Sequence, residues 1–382
     1  MKVALVHDYL VERGGAEKVL AALHQLFPEA PIYTSVYNPA TTLEVFRRAQ
    51  VRASFLQRLT THPKRYRALL PLYPLAFRSF DLSAYDLIIS SASGFAKGVR
   101  TGSAARHICY CYTPPRFVWQ YQHANARERF NLLARLGLRA FAPYLQRLDR
   151  AGAASVDRFL TSSRYVAGRI AAAYGRQATV VPPPIDCAQF ASAASTGGFF
   201  LVVSRLVPYK RVDIAVEAFN RNRLPLLVVG DGRDRRRLES LARGERVRFL
   251  GHRPQDEVRG LLATCRALVV TGEEDFGMAA LEANASGRPV VAYGAGGALE
   301  TVVPGVTGVT FPEQTAESLL AALDEFQRCS FDPERLVRHA RRFDTAEFQR
   351  AVQEIVSEEM ESRRSPAEQG GGVALRPEEA RA

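Results

Sequence analysis

Two acidic residues eight positions apart, Glu274 and Glu282, flank a point where the sequence changes from strand-like to helix-like. The apolar run at residues 267–270 is typical of a buried parallel strand, and good helix formers follow Gly277. In an open α/β sheet, a loop between such elements lies where ligands bind. Two carboxylates placed there can accept hydrogen bonds from two polyols of one ligand. On spacing alone, an acid that compensates the helix dipole and a solvated helix residue explain the pair equally well.

Two cations, Arg205 and Lys210, follow the apolar run at residues 199–203, so we expect them at the carboxyl end of another strand. Arginine offers a bidentate fork and lysine a point charge, a combination that suits a diphosphate. Taken alone, the pair is more typical of solvated cations in a basic protein.

Glycine loops supply further candidate binding groups. Gly14 and Gly15 place flexible backbone at the start of the first predicted helix, where free N–H groups bind phosphate. Gly230 begins a loop at the same edge as Arg205, and we expect it near the nucleotide base. Neither stretch is a G-x-G-x-x-G motif, so a dinucleotide site lacks its fingerprint. A tight turn without a ligand is the alternative for the paired glycines.

Strands and helices alternate in both halves of the chain, which predicts two doubly wound α/β domains. Three consecutive prolines, followed by a run of small and polar residues, place a linker at residues 187–197. We therefore predict domains at residues 1–186 and 198–345. A last amphipathic helix is expected at residues 346–360. The glycine-rich, charged tail at 361–382 is expected to be disordered.

The pattern Glu274-x-Phe276-Gly277-x4-Glu282 resembles the signature of glycosyltransferase family 4, which are retaining, nucleotide-sugar-dependent enzymes of the GT-B fold. The glycine-containing runs at residues 287–292 and 296–300 are also similar to the family, and the resemblance covers nearly all of residues 1–356. It implies that Glu274 contacts donor-sugar hydroxyls and that Glu282 holds the ribose. Phe276 and Gly277 belong to the same donor-binding segment.

The resemblance extends to the other candidates. It implies that Arg205 and Lys210 form the family's phosphate motif, which makes them catalytic together with Glu274. It also implies that Gly14 and Gly15 lie near the donor phosphates and the acceptor, and that the last helix crosses back to the first domain.

The strand at residues 106–112 ends in a Thr113-Pro114 turn, which resembles the mannosyltransferase branch that makes O-antigen. That branch implies GDP-mannose as the donor and a lipid-linked saccharide of a surface polysaccharide as the acceptor. Many relatives carry histidine where this chain has Tyr112. Tyrosine can donate a hydrogen bond to the sugar but is not a cation near neutral pH.

No metal or cofactor is predicted besides the nucleotide sugar. The chain has no D-x-D motif, and its histidines lack the spaced partners of a metal site. We expect the cations and backbone N–H groups to stabilise the leaving diphosphate instead. An epimerase of the same fold is the alternative enzyme.

The net charge of +12 and the pI near 9.7 favour an anionic partner. Between Arg47 and Arg78, cations alternate with aromatic and leucine residues, which suits an anionic membrane surface. An ordinary solvated helical surface has a similar composition. The charge alone also permits a nucleic-acid-binding protein, but no reader motif is present, so we predict no nucleic acid partner.

Cysteine usage and hydropathy indicate the compartment. The five cysteines include no C-x-x-C pair, which is typical of a reducing environment. No apolar stretch approaches the roughly 18 residues of a membrane span. We therefore expect a cytoplasmic protein bound peripherally to the inner face of the plasma membrane.

Overall fold

Two parallel β-sheets organise the chain in the computed structural model, which describes residues 1–60, 69, 71–119, 132–193, 195–222 and 224–364. Side chains are described for all of these except residues 132–140 and 363–364.

The first sheet has seven strands, and all of its pairings are parallel. Its region also contains a separate two-stranded sheet, β4 with β6. The strands are β1 (Val3–His7), β2 (Ile32–Thr34), β3 (Val51–Ala53), β4 (Asp81–Leu82), β5 (Leu87–Ala92), β6 (Arg100–Thr101), β7 (Arg106–Cys111), β8 (Arg158–Thr161) and β9 (Ala178–Val180). The order across the large sheet is β3-β2-β1-β5-β7-β8-β9. The helices of this half are α1 (Gly15–Leu26), α2 (Val45–Arg48), α3 (Tyr73–Arg78), α4 (Arg116–Trp119), α5 (Leu132–Ala154) and α6 (Arg164–Tyr174).

The second sheet has six parallel strands. They are β10 (Phe200–Val203), β11 (Leu226–Val229), β12 (Val247–Gly251), β13 (Leu268–Val270), β14 (Val290–Tyr293) and β15 (Gly308–Phe311), in the order β12-β11-β10-β13-β14-β15. The accompanying helices are α7 (Val212–Asn222), α8 (Arg235–Leu241), α9 (Gln255–Thr264), α10 (Met278–Ala285), α11 (Ala298–Thr301), α12 (Ala316–Arg328), α13 (Pro333–Arg341) and α14 (Thr345–Arg364).

Each sheet is covered on both faces by its own apolar clusters, which explains why its central strands are short, continuous apolar runs. The last helix, α14, belongs to the core of the first domain. Its residues Phe348 and Val352 are buried in the same cluster as Leu20 and Leu23 of α1. The two-domain α/β fold with a returning C-terminal helix is therefore confirmed.

The chain passes between the domains twice, at neighbouring positions. The Ile185 N–H donates to the Phe343 carbonyl at 2.9 Å, and the Thr345 N–H donates to the Ile185 carbonyl at 3.2 Å. These bonds tie the outgoing and returning segments to each other.

Several elements differ from the sequence predictions. Strands β2, β3 and β15 were not predicted, and β3 lies inside the Arg47–Arg78 segment as an edge strand of the first sheet. Part of that segment, residues 61–68 and 70, lies outside the described residues. The predicted tail began at residue 361, whereas α14 continues to Arg364; residues 365–382 are not described. Among the helices of the described ranges, none is long and apolar enough to cross a membrane.

Candidate active site

A cavity of about 320 Å³ lies where the carboxyl ends of the two sheets face each other. Loops that follow β7, β8, β10 and β13 contribute to its wall, as the geometry of parallel sheets predicts. The first domain contributes Gly15, Ala16, Val19, Tyr112, Ser162 and Pro183. The second domain contributes Arg205, Lys210, Glu274, Phe276, Gly277 and Met278, among others. The structure therefore brings most of the predicted site residues together.

Lys210 and Glu274 form an ion pair in the wall of the cavity. The Lys210 Nζ lies 2.5 Å from the Glu274 Oε2, and about one-fifth of each side chain is exposed. The next residue, Arg211, has φ 51°, the one positive φ outside glycine in the described chain. Such a left-handed conformation is costly for a side chain, so surrounding contacts must hold it. One is the Arg211 Nε donating to Asp213 at 3.2 Å, which helps to fix the turn that carries Lys210.

Tyr209 lies at the centre of a group of cations. Its hydroxyl accepts a hydrogen bond from the Arg205 Nη2 at 2.8 Å. The Lys210 Nζ lies 5.4 Å from the centre of the Tyr209 ring, and the Arg116 Cζ lies 5.1 Å from it on the side of the first domain. Aromatic faces attract cations at these distances. The ring therefore holds the two predicted phosphate-binding cations beside a third from the other domain.

Glu282 faces the other domain instead of the cavity. It lies in the second turn of α10, is only 7% exposed, and its Oε1 is 2.5 Å from the Nζ of Lys18 on α1. The cavity wall does not include it. The alternative of a solvated helix residue is thus wrong.

The paired glycines have different surroundings. The Gly14 N–H donates to the Glu17 Oε2 at 2.9 Å, so this amide is used within the helix cap and does not face the cavity. Gly15 does line the cavity, and a Cβ added to it would lie 2.8 Å from the Met278 Sδ. A side chain at this position would have to displace the flexible Met278 side chain of α10.

Gly230, predicted to lie near the nucleotide base, lies outside the cavity wall. It has φ 132°, and a Cβ on it would lie 1.9 Å from the Ser204 carbonyl oxygen. Glycine is required at position 230 because the β11 loop packs directly on the backbone that precedes Arg205.

The Tyr112 hydroxyl is bonded within the first domain. It donates to the Ala16 carbonyl at 2.9 Å and is 2.7 Å from the Ser91 Oγ. Burial raises the pKa of Tyr112 well above its usual value, so the hydroxyl stays protonated. The residue lines the cavity, but its hydrogen bonds hold the first turn of α1 in place, beside Gly15.

A set of interdomain contacts around Asp275 was not predicted from the sequence. The Asp275 Oδ1 lies 2.7 Å from the Arg116 Nη2 and 2.8 Å from the Arg169 Nη1, and the Asp275 carbonyl accepts from the Ser163 Oγ at 2.6 Å. Burial opposes the charge of Arg116, but Asp275 favours it and the pKa of Arg116 is raised. The sequence did contain one indication that these residues lie near the site, because Arg116 and Ser163 each follow the carboxyl end of a strand.

The N-terminus of α6 binds a carboxylate of the second domain. Glu300 accepts from the N–H groups of Arg164 at 3.0 Å and Tyr165 at 3.1 Å, which satisfies two free donors of the helix end. Tyr165 also donates to the Glu273 Oε1 at 2.6 Å; burial and this carboxylate raise the pKa of Tyr165 to about 12. Acidic side chains of the second domain thus hold the first domain close to it.

Two facing parallel-sheet domains, with a cavity between their carboxyl ends and a returning last helix, define the GT-B class. Sucrose-phosphate synthase from Thermosynechococcus elongatus has this fold, with a TM-score of 0.75 at 19% identity over 95% of this chain and 100% of that chain. Anabaena Alr3699/HepE in complex with UDP and glucose superposes with a TM-score of 0.66 at 20% identity, over 94% and 99% of the two chains.

Family models match the two halves in succession. Residues 13–189 match Glycosyltransferase Family 4, and residues 188–343 match Glycosyl transferases group 1. The chain therefore carries one domain similar to each of these two glycosyltransferase families, in a GT-B fold.

Curated relatives match parts of the chain. Glycogen synthase of Mycobacterium tuberculosis is 33% identical over 209 residues, which is 50% of each protein. The GDP-mannose-dependent alpha-mannosyltransferase of the same species is 38% identical over 111 residues, 29% of each. The chain spans about half the length of the glycogen synthase and 29% of the length of the mannosyltransferase. The matches support the family but not the O-antigen branch.

Proposed function

We propose that this protein is a retaining glycosyltransferase that moves a hexose from a nucleotide diphosphate sugar to an acceptor hydroxyl. One observation carries the proposal: Arg205, Lys210 and Glu274 line the same cavity, and Gly15 and Tyr112 of the other domain close it. The cations suit a diphosphate, and the carboxylate suits sugar hydroxyls.

The chemistry follows from these groups. When the bond between the anomeric carbon and the diphosphate oxygen breaks, negative charge grows on the diphosphate, and Arg205 and Lys210 stabilise it. The acceptor oxygen then bonds to the anomeric carbon from the same face, and its proton passes to the departing phosphate oxygen. Glu274, which pairs with Lys210 in this structure, orients the sugar through its hydroxyls. We propose that no metal ion or further cofactor takes part.

GDP-mannose is the proposed donor. The Thr113-Pro114 turn at the end of β7 is similar to that of mannosyltransferases, and one relative is named a GDP-mannose-dependent alpha-mannosyltransferase. The titles of solved neighbours name UDP, so UDP-sugars are the competing donors.

A lipid-linked saccharide at the anionic inner face of the plasma membrane is the proposed acceptor. Within the described part of the Arg47–Arg78 segment, Phe55, Leu59 and Leu75 are 45%, 61% and 57% exposed. Exposed apolar side chains among cations are typical of proteins that bind anionic lipid.

A thermal-shift panel with GDP-mannose, UDP-glucose, ADP-glucose and the free diphosphates tests the donor. A ligand at 100 times its Kd stabilises the folded state by roughly 2.7 kcal/mol, and we expect the largest shift with GDP-mannose. Lys210→Met should abolish most of this shift. No shift with any nucleotide would contradict the proposal. Release of UDP and free sugar without an acceptor would instead identify the epimerase alternative.

A further inference from the structure

We propose that Arg116 is a third cation for the donor's diphosphate, contributed by the first domain. The inference rests on the proposed function and extends it, because both predicted phosphate-binding cations belong to the second domain.

The position of Arg116 is fixed from its own domain. It follows Pro114 and Pro115 at the carboxyl end of β7, and the Pro115 carbonyl accepts from the N–H of Val118 at 2.9 Å. Val118 is fully buried, and the Trp119 Nε1 donates to Asp149 at 2.8 Å. Because the rest of this short helix is anchored in the core, the Arg116 side chain is held towards the second domain.

Arg116 does not line the cavity itself, but its contact with Tyr209 places it beside Arg205 and Lys210, which do. Its guanidinium lies 5.1 Å from the centre of the Tyr209 ring, whose hydroxyl bonds Arg205 and whose face is 5.4 Å from the Lys210 Nζ. Glu274 and Asp275 pair with Lys210 and Arg116, but positive charges still outnumber negative ones among these five side chains, which favours a bound anion. A diphosphate has enough oxygens to receive all three cations.

Asp275 orients Arg116 without using all of its donors. It receives the Nη2 of Arg116 at 2.7 Å, while a guanidinium carries five N–H donors. The same Asp275 oxygen also receives Arg169 at 2.8 Å. Contact with Asp275 and contact with a phosphate are therefore compatible.

Arg169 provides a matched control. It shares the Asp275 oxygen, so its removal weakens the same interdomain contact. Its guanidinium, however, lies over the ring of Tyr165, 5.8 Å from the ring centre, and in the described structure it does not join the group around Tyr209. A purely structural role for Arg116 predicts that both arginines behave alike, whereas a phosphate-binding role predicts that they differ.

The test is titration calorimetry of the full chain with GDP, UDP and the corresponding monophosphates, using whichever base the wild type prefers. Arg116→Ala should weaken diphosphate binding about tenfold or more, the scale of a lost charge-assisted hydrogen bond, with a smaller loss for the monophosphate. Arg116→Lys should recover part of the loss, and Arg169→Ala should weaken diphosphate binding less than about threefold. The unfolding midpoint of each variant shows whether it is folded.

Equal losses in Arg116→Ala and Arg169→Ala would overturn the inference, since they indicate a role in domain contact only. An Arg116→Ala variant with unchanged diphosphate affinity but a raised KM for the acceptor would also overturn it, by assigning Arg116 to an acceptor phosphate. In both cases the proposed function survives. A wild-type protein that binds no nucleoside diphosphate would overturn both.

Discussion

Glu274 and Glu282 each pair with a lysine at 2.5 Å, but the two lysines belong to different domains. Lys210 lies on the same domain as Glu274, so that pair exists whatever the distance between the domains. Lys18 lies on α1, so the pair with Glu282 requires the domains to be close. The two acids of one motif therefore have different physical surroundings: one faces the cavity and the other the domain contact.

Removing either cavity cation should lower transfer strongly. Arg205→Ala and Lys210→Ala should each reduce kcat/KM by roughly 10²-fold or more, the scale for one lost transition-state charge stabiliser. A steady-state transfer assay checks this. Arg235→Ala, which removes a cation paired with Glu239 on α8, is the control and should have little effect. Activity should persist in EDTA; strict dependence on Mn²⁺ or Mg²⁺ would contradict the metal-free mechanism.

The two acids should give different kinetic defects. Glu282 lies outside the cavity wall and pairs with Lys18 in this structure, but the family resemblance assigns the ribose to its carboxylate, so Glu282→Ala should weaken nucleotide binding. Glu274→Ala should chiefly lower kcat because the sugar is less well oriented. Nucleotide titration and kinetics of both variants separate these effects. Lys18→Met is the control, because it removes the interdomain pair at the Glu282 Oε1 but leaves the carboxylate in place for the ribose. Unchanged nucleotide affinity in Glu282→Ala would show that the ribose assignment is wrong.

The sequence predicted the cavity residues because each follows a buried strand. Arg205, Lys210 and Glu274 come after apolar runs, and the carboxyl ends of parallel strands converge whatever the details of packing. The pair of Lys18 with Glu282, 264 positions apart, was not predictable in this way. It depends on how two separately folded domains meet, and no local pattern encodes that arrangement.

Among the elements, β10 carries Arg205 and Lys210 on its loop, and the β11 loop packs against the start of that loop. The β11 loop touches the backbone of Ser204, which immediately precedes Arg205, and glycine is required at the contact. Most strands were predictable from continuous apolar runs, such as residues 267–270 for β13. Strands β2 and β3 lack such a run and are defined by pairing outward from β1.

Gly230→Ala should therefore damage both stability and the site. The added Cβ would meet the Ser204 carbonyl in a positive-φ conformation, and we expect a loss of about 1–3 kcal/mol or more in the free energy of unfolding, with weaker diphosphate binding. Gly260→Ala is the matched control: it lies within α9 with no heavy atom near the added Cβ, and should be neutral or stabilising by up to about 1 kcal/mol. Urea unfolding measures both. A neutral Gly230→Ala would contradict the account.

At the scale of the whole molecule, contacts between charged groups join the two domains around the cavity. Lys18 with Glu282, and Arg116 and Arg169 with Asp275, all cross from one domain to the other. The adjacent chain crossings at Ile185 and Phe343 lie between the domains. Opening about these crossings would admit the donor, and closure would exclude the water that otherwise hydrolyses it.

The first domain should also carry the membrane contact. The protein should co-sediment with phosphatidylglycerol vesicles, much less with phosphatidylcholine vesicles, and be partly released by high salt. The double substitution Phe55→Ser and Leu59→Ser should reduce this binding, while Leu299→Ser, at an equally exposed leucine of the second domain, should not.

The basic residues Lys64, Arg65 and Arg67, outside the described residues, should contribute as well, so their replacement by Glu should abolish membrane binding and leave donor affinity intact. Equal binding to neutral vesicles would contradict the membrane proposal.

A crystal structure with GDP-mannose in the absence of acceptor would show whether a nucleotide diphosphate sugar binds between the two sheets. We expect diphosphate oxygens at about 2.7–3.2 Å from the side chains of Arg205 and Lys210, with the mannose hydroxyls bonded to Glu274. A nucleotide bound elsewhere on the chain, or a diphosphate that contacts neither cation, would show that the proposed donor site is wrong.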